Sequence, residues 1–129
     1  MNALPVSSEY VESTAAQIGL QDKLDTEAGI LSHGQKQWLE IGMLLMQEPE
    51  IIMLDEPVAG MSVRERTETA ALIRRISANR SVIVIEHDME FVREIADRVT
   101  VMHLGQILSE GSMEKVSADP KVIEVYIGH

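Results

Sequence analysis

Two short apolar runs in this sequence stop abruptly in groups that can move protons or hold a cation. IIML at 51–54 is closed by Asp55, Glu56 and Pro57, and SVIVI at 81–85 is closed by Glu86, His87 and Asp88. Ligands of an open parallel sheet gather beyond the carboxyl ends of its strands. Both groups should therefore face one crevice, in which four carboxylates and an imidazole share a site. Paired acids there suit phosphoryl transfer, one holding Mg²⁺, usually through water, and the other orienting the attacking water. Each group also has a plainer explanation: Asp-Glu-Pro after a strand is ordinary solvated turn chemistry, and a histidine beside acids is more often a hydrogen-bonded structural residue.

A third stretch, GILSHGQKQW at 29–38, has almost the spacing of a phosphate loop. That loop, G-x-x-x-x-G-K-[ST], needs a lysine directly after its second glycine and then a hydroxyl for Mg²⁺. Here Gln35 follows Gly34, Lys36 comes one place late, and Gln37 and Trp38 take the next positions. The full pattern occurs nowhere in the 129 residues. Ser32 and Gln35 instead form S-x-x-Q, a capping box that satisfies free N–H groups at a helix start. Such a start attracts phosphate without a lysine, through its free donors and the positive end of its dipole.

The elements that must position these groups follow from apolar spacing. Tyr10, Val11, Thr14, Ala15 and Ile18 give a short amphipathic helix over 9–18, stopped by Gly19. The helix opened by Ser32 carries Trp38, Leu39, Ile41, Leu45 and Met46, and Pro49 ends it. IIML reads as a strand buried on both faces. Ser62 and Glu65 make a second capping box, ahead of a helix with Leu72, Ile73 and Ile76 on its apolar stripe. SVIVI is the next strand, and Phe91, Val92, Ile95 and Ala96 mark the helix after it. Alternating strands and helices predict an α/β fold with a parallel sheet and right-handed crossovers. VTVMHLGQILSEG leaves no room for a helix around Gly105 and folds back as an antiparallel hairpin, with short helices on either side of Pro120. Ser32 and Ser62 are fully explained as caps, Trp38 by core packing, and the methionines as core filler.

Composition sets the boundaries of the reading. The length suits one domain, or part of one, treated as a single cooperative unit. Acidic residues outnumber basic ones 21 to 11, and a net charge of −10 opposes binding to nucleic acid. Cysteine is absent, which excludes thiolate metal sites and disulfides and suits a reducing compartment. The start, MNALPVSSEYVES, has neither a basic cap nor a long apolar run, so direct membrane insertion is not expected.

The order of the motifs carries more than any one of them. LSHGQ at 31–35, a helix, IIMLDEP at 51–57, VAGMS at 58–62 and VIVIEHD at 82–88 resemble the signature, Walker B strand, D-loop and H-loop of the ATP-binding subunits of ABC transporters. LSHGQKQWLEIGMLLMQEPE, LDEPVAGM and the ending VIEVYIG look most like the urea-importing branch and its branched-chain amino-acid relatives. The resemblance implies a partial P-loop NTPase core of the RecA-like, ABC type, with residues 1–48 in the helical subdomain and 49–129 in the core subdomain. ATP and Mg²⁺ are the implied cofactors. Asp55 would help hold Mg²⁺, Glu56 would act as base or orient the water, and His87 would touch the γ-phosphate. Leu31, Ser32, His33, Gly34 and Gln35 would meet the γ-phosphate of ATP held by a second ATP-binding subunit, and Ser62 would make a D-loop contact across that dimer. His33 stands where glycine is commoner, Ser62 where aspartate is common, and Trp38 where a basic residue is frequent.

The resemblance further implies permease subunits as partners, a cytoplasmic place on the inner face of the membrane, and hydrolysis of ATP to drive import. The P-loop, an adenine-stacking aromatic and a glutamine loop belong to the half of the family's chain that precedes these motifs. This sequence thus reads as a C-terminal fragment, inactive alone, lacking the P-loop strand between 82–85 and 99–102, a vacancy of about 10 Å at the usual strand spacing. Such an edge should draw another chain, repack, or close on a non-native neighbour. Other readings are a non-catalytic interaction module and an ABC-type ATPase of DNA repair, the latter disfavoured by the absence of coiled-coil heptads. A metal hydrolase using His33, His87 and Asp55 lacks a closely spaced histidine pair.

Overall fold

A computed structural model describes residues 7–127. The first six residues, part of the segment read above for a leader, and Gly128 of the VIEVYIG ending lie outside the described residues. Where composition shows a single unit, the chain divides into two, Met1–His87 and Asp88–His129. The division falls there because strand pairing does not bridge it: the first two strands pair with each other and the last two form their own sheet.

The first unit begins with α1 (Ser8–Gln17), capped by the Ser7 hydroxyl accepting from the Tyr10 N–H at 3.1 Å. Gly19, at φ +78°, takes the left-handed turn that ends it. A 3₁₀ turn (Ala28–Ile30) leads into α2 (His33–Leu45), followed by β1 (Ile51–Asp55), α3 (Val63–Ile76) and β2 (Ser81–Ile85). Both capping boxes form as the sequence predicts, at Ser32/Gln35 and Ser62/Glu65. Trp38, Ile41 and Leu45 of α2, Leu72, Ile73 and Ile76 of α3, Ile18 after α1, and Ile52 and Leu54 of β1 are all buried. Full burial of a side chain such as Leu72 or Ile76 contributes about 1.5–3 kcal/mol. Gly42 lets α1 and α2 approach, since a Cβ there would lie 2.6 Å from Ile18 Cδ1. Trp38 is a packing residue, with its Nε1–H donating to the buried Thr69 hydroxyl at 2.8 Å.

β1 and β2 run parallel, with Met53 opposite Ile83 and Asp55 opposite Ile85. The expectation that β1 is buried on both faces is corrected. Ile52 and Leu54 are buried, but Ile51 is 59% and Met53 64% exposed, and Ile83 and Ile85 stand half in solvent beside them. The period-two geometry of a strand sends alternate side chains to opposite faces, and the described residues cover one face only. The methionines need the same correction: Met113 is buried, whereas Met43, Met53 and Met102 are exposed.

The second unit holds α4 (Met89–Ile95), β3 (Val99–His103), β4 (Gln106–Gly111), α5 (Met113–Ala118), a helical turn α6 (Pro120–Val122) and a π turn (Ile123–Ile127). β3 and β4 form the predicted antiparallel hairpin, with a register shift after Val101. Leu104 and Gly105, both at positive φ, make its two-residue turn. α5 packs on the hairpin through the fully buried Val116, and Val122 joins it in this core. Glu110 accepts from Thr100 and pairs with Arg98, both at 2.6 Å. The Tyr126 hydroxyl donates to the Met102 carbonyl, and its ring meets His103 edge-on.

Candidate functional site

Two clusters in the first unit contain the residues singled out by the sequence. At the carboxyl end of β1, Asp55 continues the exposed face of Ile51 and Met53. Its carboxylate makes no hydrogen bond or ion pair among the described residues. Glu56 leaves the strand: its N–H donates to the Ile85 carbonyl at 2.8 Å, and its φ of +48° lies in the left-handed region. A glutamate held there costs about 1–3 kcal/mol, a strain that collects at functional sites. Its carboxylate Oε1 lies 3.1 Å from His87 Nδ1.

His87 lies two residues beyond the end of β2, after Glu86. Its own N–H donates to Glu86 Oε1 at 3.0 Å, and Nδ1 stands 3.5 Å from the same oxygen. Glu86 is nearly enclosed, at 2% side-chain exposure, whereas the His87 side chain is 78% exposed. With Nδ1 beside a carboxylate, Nε2 is the ring nitrogen left for a ligand, and only the doubly protonated imidazole donates on both sides. Of the five groups expected to share one crevice, Glu56, Glu86 and His87 are in contact, whereas Asp55 has no side-chain hydrogen bond or ion pair with them. Asp88 starts the second unit, where its carboxylate caps α4 by accepting from the Phe91 N–H at 3.1 Å.

The second cluster surrounds the N-terminus of α2. Leu31 is buried and anchors the loop. The Ser32 hydroxyl accepts from the Gln35 N–H at 3.2 Å, while Gln35 Oε1 accepts from the Ser32 N–H at 3.0 Å. His33 Nε2 reaches the Ala59 carbonyl at 2.9 Å, so this ring nitrogen must be the donor. The ring closes over Gly60, where a Cβ would meet it at 3.3 Å.

Glu65, on the first turn of α3, joins both loops. Its Oε1 accepts from the Ser62 N–H at 3.1 Å, completing the cap. Its Oε2 accepts from the Ser32 hydroxyl at 3.0 Å and from the Gly34 N–H at 3.1 Å. The Ser62 N–H first, then the Ser32 hydroxyl, hold its carboxyl below the usual carboxylate range, against an opposing effect of burial. Sequence spacing shows the Ser62 contact through S-x-x-E; nothing local signals the reach across 31 residues to Gly34.

A concavity of about 460 Å³, lined by Tyr10, Leu45, Glu48 and Arg80 among others, sits at the opposite, amino-terminal end of β1 and β2. It contains none of these groups.

Comparison with known proteins shows the family of the chain. The ABC transporter family model matches residues 5–59, and the branched-chain amino acid ATP-binding cassette transporter model matches residues 106–129. The high-affinity branched-chain amino acid transport ATP-binding protein BraF of Pseudomonas aeruginosa is 37% identical over 122 residues, 93% of this chain and 48% of BraF. The chain belongs to the ABC transporter ATP-binding family. Its LivG relative in Escherichia coli K12, also a high-affinity branched-chain amino acid transport ATP-binding protein, is 38% identical over 87% of the chain and 45% of LivG. Among solved structures, the ADP conformation of MJ1267, an ATP-binding cassette of an ABC transporter, superposes with a TM-score of 0.84 at 32% identity. That match covers 100% of this chain and 54% of MJ1267. The α/β fold is thus that of the P-loop NTPase cassettes, and this member spans about half the length of the curated relatives it matches.

Proposed function

We propose that this cassette chain is part of the ATP-hydrolysing subunit of an ABC importer. The observation that carries the reading is the Glu56–His87 pair at the carboxyl ends of two parallel strands, with Glu56 held in a left-handed conformation. Glu56 then orients or deprotonates the hydrolytic water, and His87, braced through Nδ1, presents its other nitrogen to the γ-phosphate. The donor set also fits Mg²⁺. Asp55 offers one exposed hard oxygen ligand, and no group of three or more metal-ligating side chains occurs among the described residues. A single carboxylate with phosphate oxygens and water is how nucleotide sites commonly hold this ion. When bound, Mg²⁺ supplies charge neutralisation at the phosphates.

Leu31, Ser32, His33, Gly34 and Gln35 form the signature loop in this reading, and Ser62 the D-loop contact. Both act on ATP whose main cradle lies on a second ATP-binding subunit in a two-fold, head-to-tail dimer. The phosphate loop itself comes from residues other than these 129, so the chain alone does not hydrolyse ATP. The open apolar face of Ile51, Met53, Ile83 and Ile85 suits such an incomplete core. Residues 1–48 would belong to the helical subdomain and 49–129 to the core. No described helix is long and apolar enough to cross a membrane. Permease subunits would provide attachment at the cytoplasmic face.

The transported solute is a small amino acid or amide. Branched-chain amino acids are supported by the names of BraF and LivG, and urea by the sequence of the signature helix and the ending. Glu56→Gln in the intact subunit should lower hydrolysis by orders of magnitude and retain ATP binding, and unchanged turnover would remove Glu56 from this role. Stimulation of the assembled transporter by urea, but not leucine, would select the urea branch.

A further inference from the structure

We propose that Glu65 is a carboxylate latch that occupies the phosphate-meeting groups of the signature loop and must leave them when phosphate arrives. The inference rests on the reading that this loop meets a phosphate. Two donors define the cradle, the Ser32 hydroxyl and the Gly34 N–H, and both converge on one Glu65 oxygen at 3.0 and 3.1 Å. Those are the distances a phosphate oxygen takes from the same donors. The space above Gly34 is filled as well, since a Cβ built there would fall 2.1 Å from that oxygen. A second anion cannot enter beside the first without strong repulsion, so the carboxylate and a phosphate exclude each other.

The same side chain makes this exclusion informative. While Oε2 rests on the signature loop, Oε1 caps Ser62 at the end of VAGMS. One rigid carboxylate cannot rotate out of the cradle and keep both contacts. Phosphate arrival at Ser32 and Gly34 is therefore transmitted to Ser62 and the first turn of α3, through a group that touches neither strand-end acid. Glu65 is a positioning residue, and its effect is a competition between an internal anion and an external one.

The test titrates the 129-residue chain with inorganic phosphate while following the backbone amide resonances of Gly34 and Ser62. Glu65→Gln is the informative variant, because glutamine retains the capping box and removes the charge. In the unmodified chain the two amides should shift together as phosphate is added. In Glu65→Gln, phosphate should bind about tenfold more tightly or better, and Gly34 should shift without Ser62. Equal affinities in two folded proteins, or binding by neither, would overturn the latch. Ser32→Ala separates this from the underlying reading. If that variant binds phosphate as well as the unmodified chain, the signature loop is not the phosphate site. If Ser32→Ala weakens binding while Glu65→Gln leaves it unchanged, only the latch is lost.

Discussion

At the start of α2 the polar groups are answered from within the chain, whereas at the carboxyl end of β1 they stand largely in solvent. Ser32, Gly34, Gln35 and Ser62 all hydrogen-bond inside one cluster centred on Glu65. Asp55 has no such contact, and Glu56 has one side-chain contact, to His87. The first region is a structural network that a ligand has to displace; the second is an open set of acids kept in place by strand pairing and one strained residue. Each kind of region should respond differently to mutation.

The largest effect falls on the open region. Glu56→Gln should lower ATP hydrolysis by the intact subunit about 10²–10⁴-fold, the usual contribution of a positioned acid–base group. Nucleotide binding, measured by fluorescence titration, should persist. A loss of folding instead would show that the strand end is structural like the other region. Next comes the support beneath the closed region. Trp38→Ala should cost about 3–5 kcal/mol in urea unfolding, and Trp38→Phe, which removes the Nε1–H bond to Thr69 and part of the buried ring, a smaller amount of about 1–3 kcal/mol.

Gly34→Ala is smaller and more local. The new methyl must push Glu65 Oε2 away, breaking two hydrogen bonds at the flexible end of one side chain, with an expected cost of about 1 kcal/mol. Alanine's own helix preference, worth up to about 1 kcal/mol, acts in the opposite direction, so the network's share is the difference between Gly34→Ala made in the unmodified chain and in Glu65→Gln. The smallest effect concerns acid. The Glu65 pKa is lowered, chiefly by the Ser62 N–H. Its contacts therefore contribute fully above the unfolded value of about 4.3 and lose that contribution as pH falls from there through the folded value. Glu110, held low first by Thr100 and then by Arg98, and Asp119, held low by the Lys121 N–H, titrate with the same sign in the second unit. The informative quantity is thus the difference between the unmodified chain and Glu65→Gln at pH 6 and at pH 3. If the two lose stability in parallel, the Glu65 network is not the acid-sensitive part.

Much of this was legible in the residues. Ser32–Gln35 and Ser62–Glu65 announce helix starts because capping acts over three residues, and Leu104–Gly105 announces a turn by the same short reach. The exposure of Ile51 and Met53 was not legible, because an apolar run is the same string whether or not anything covers its second face. Nor was the placing of Asp88 as a cap rather than a strand-end acid, since its role depends on where α4 begins.

The order and type of elements, both capping boxes and the identities of Asp55, Glu56 and His87 are properties of the sequence by itself, because spacing and local hydrogen bonding act between near neighbours. Tertiary structure alone decided that Glu56 meets His87 across 31 residues, that His33 meets Ala59, and that one oxygen of Glu65 lies on both Ser32 and Gly34. Those contacts depend on how α3 packs beside α2 and on the register of β1 against β2, and packing and register are set by the chain as a whole.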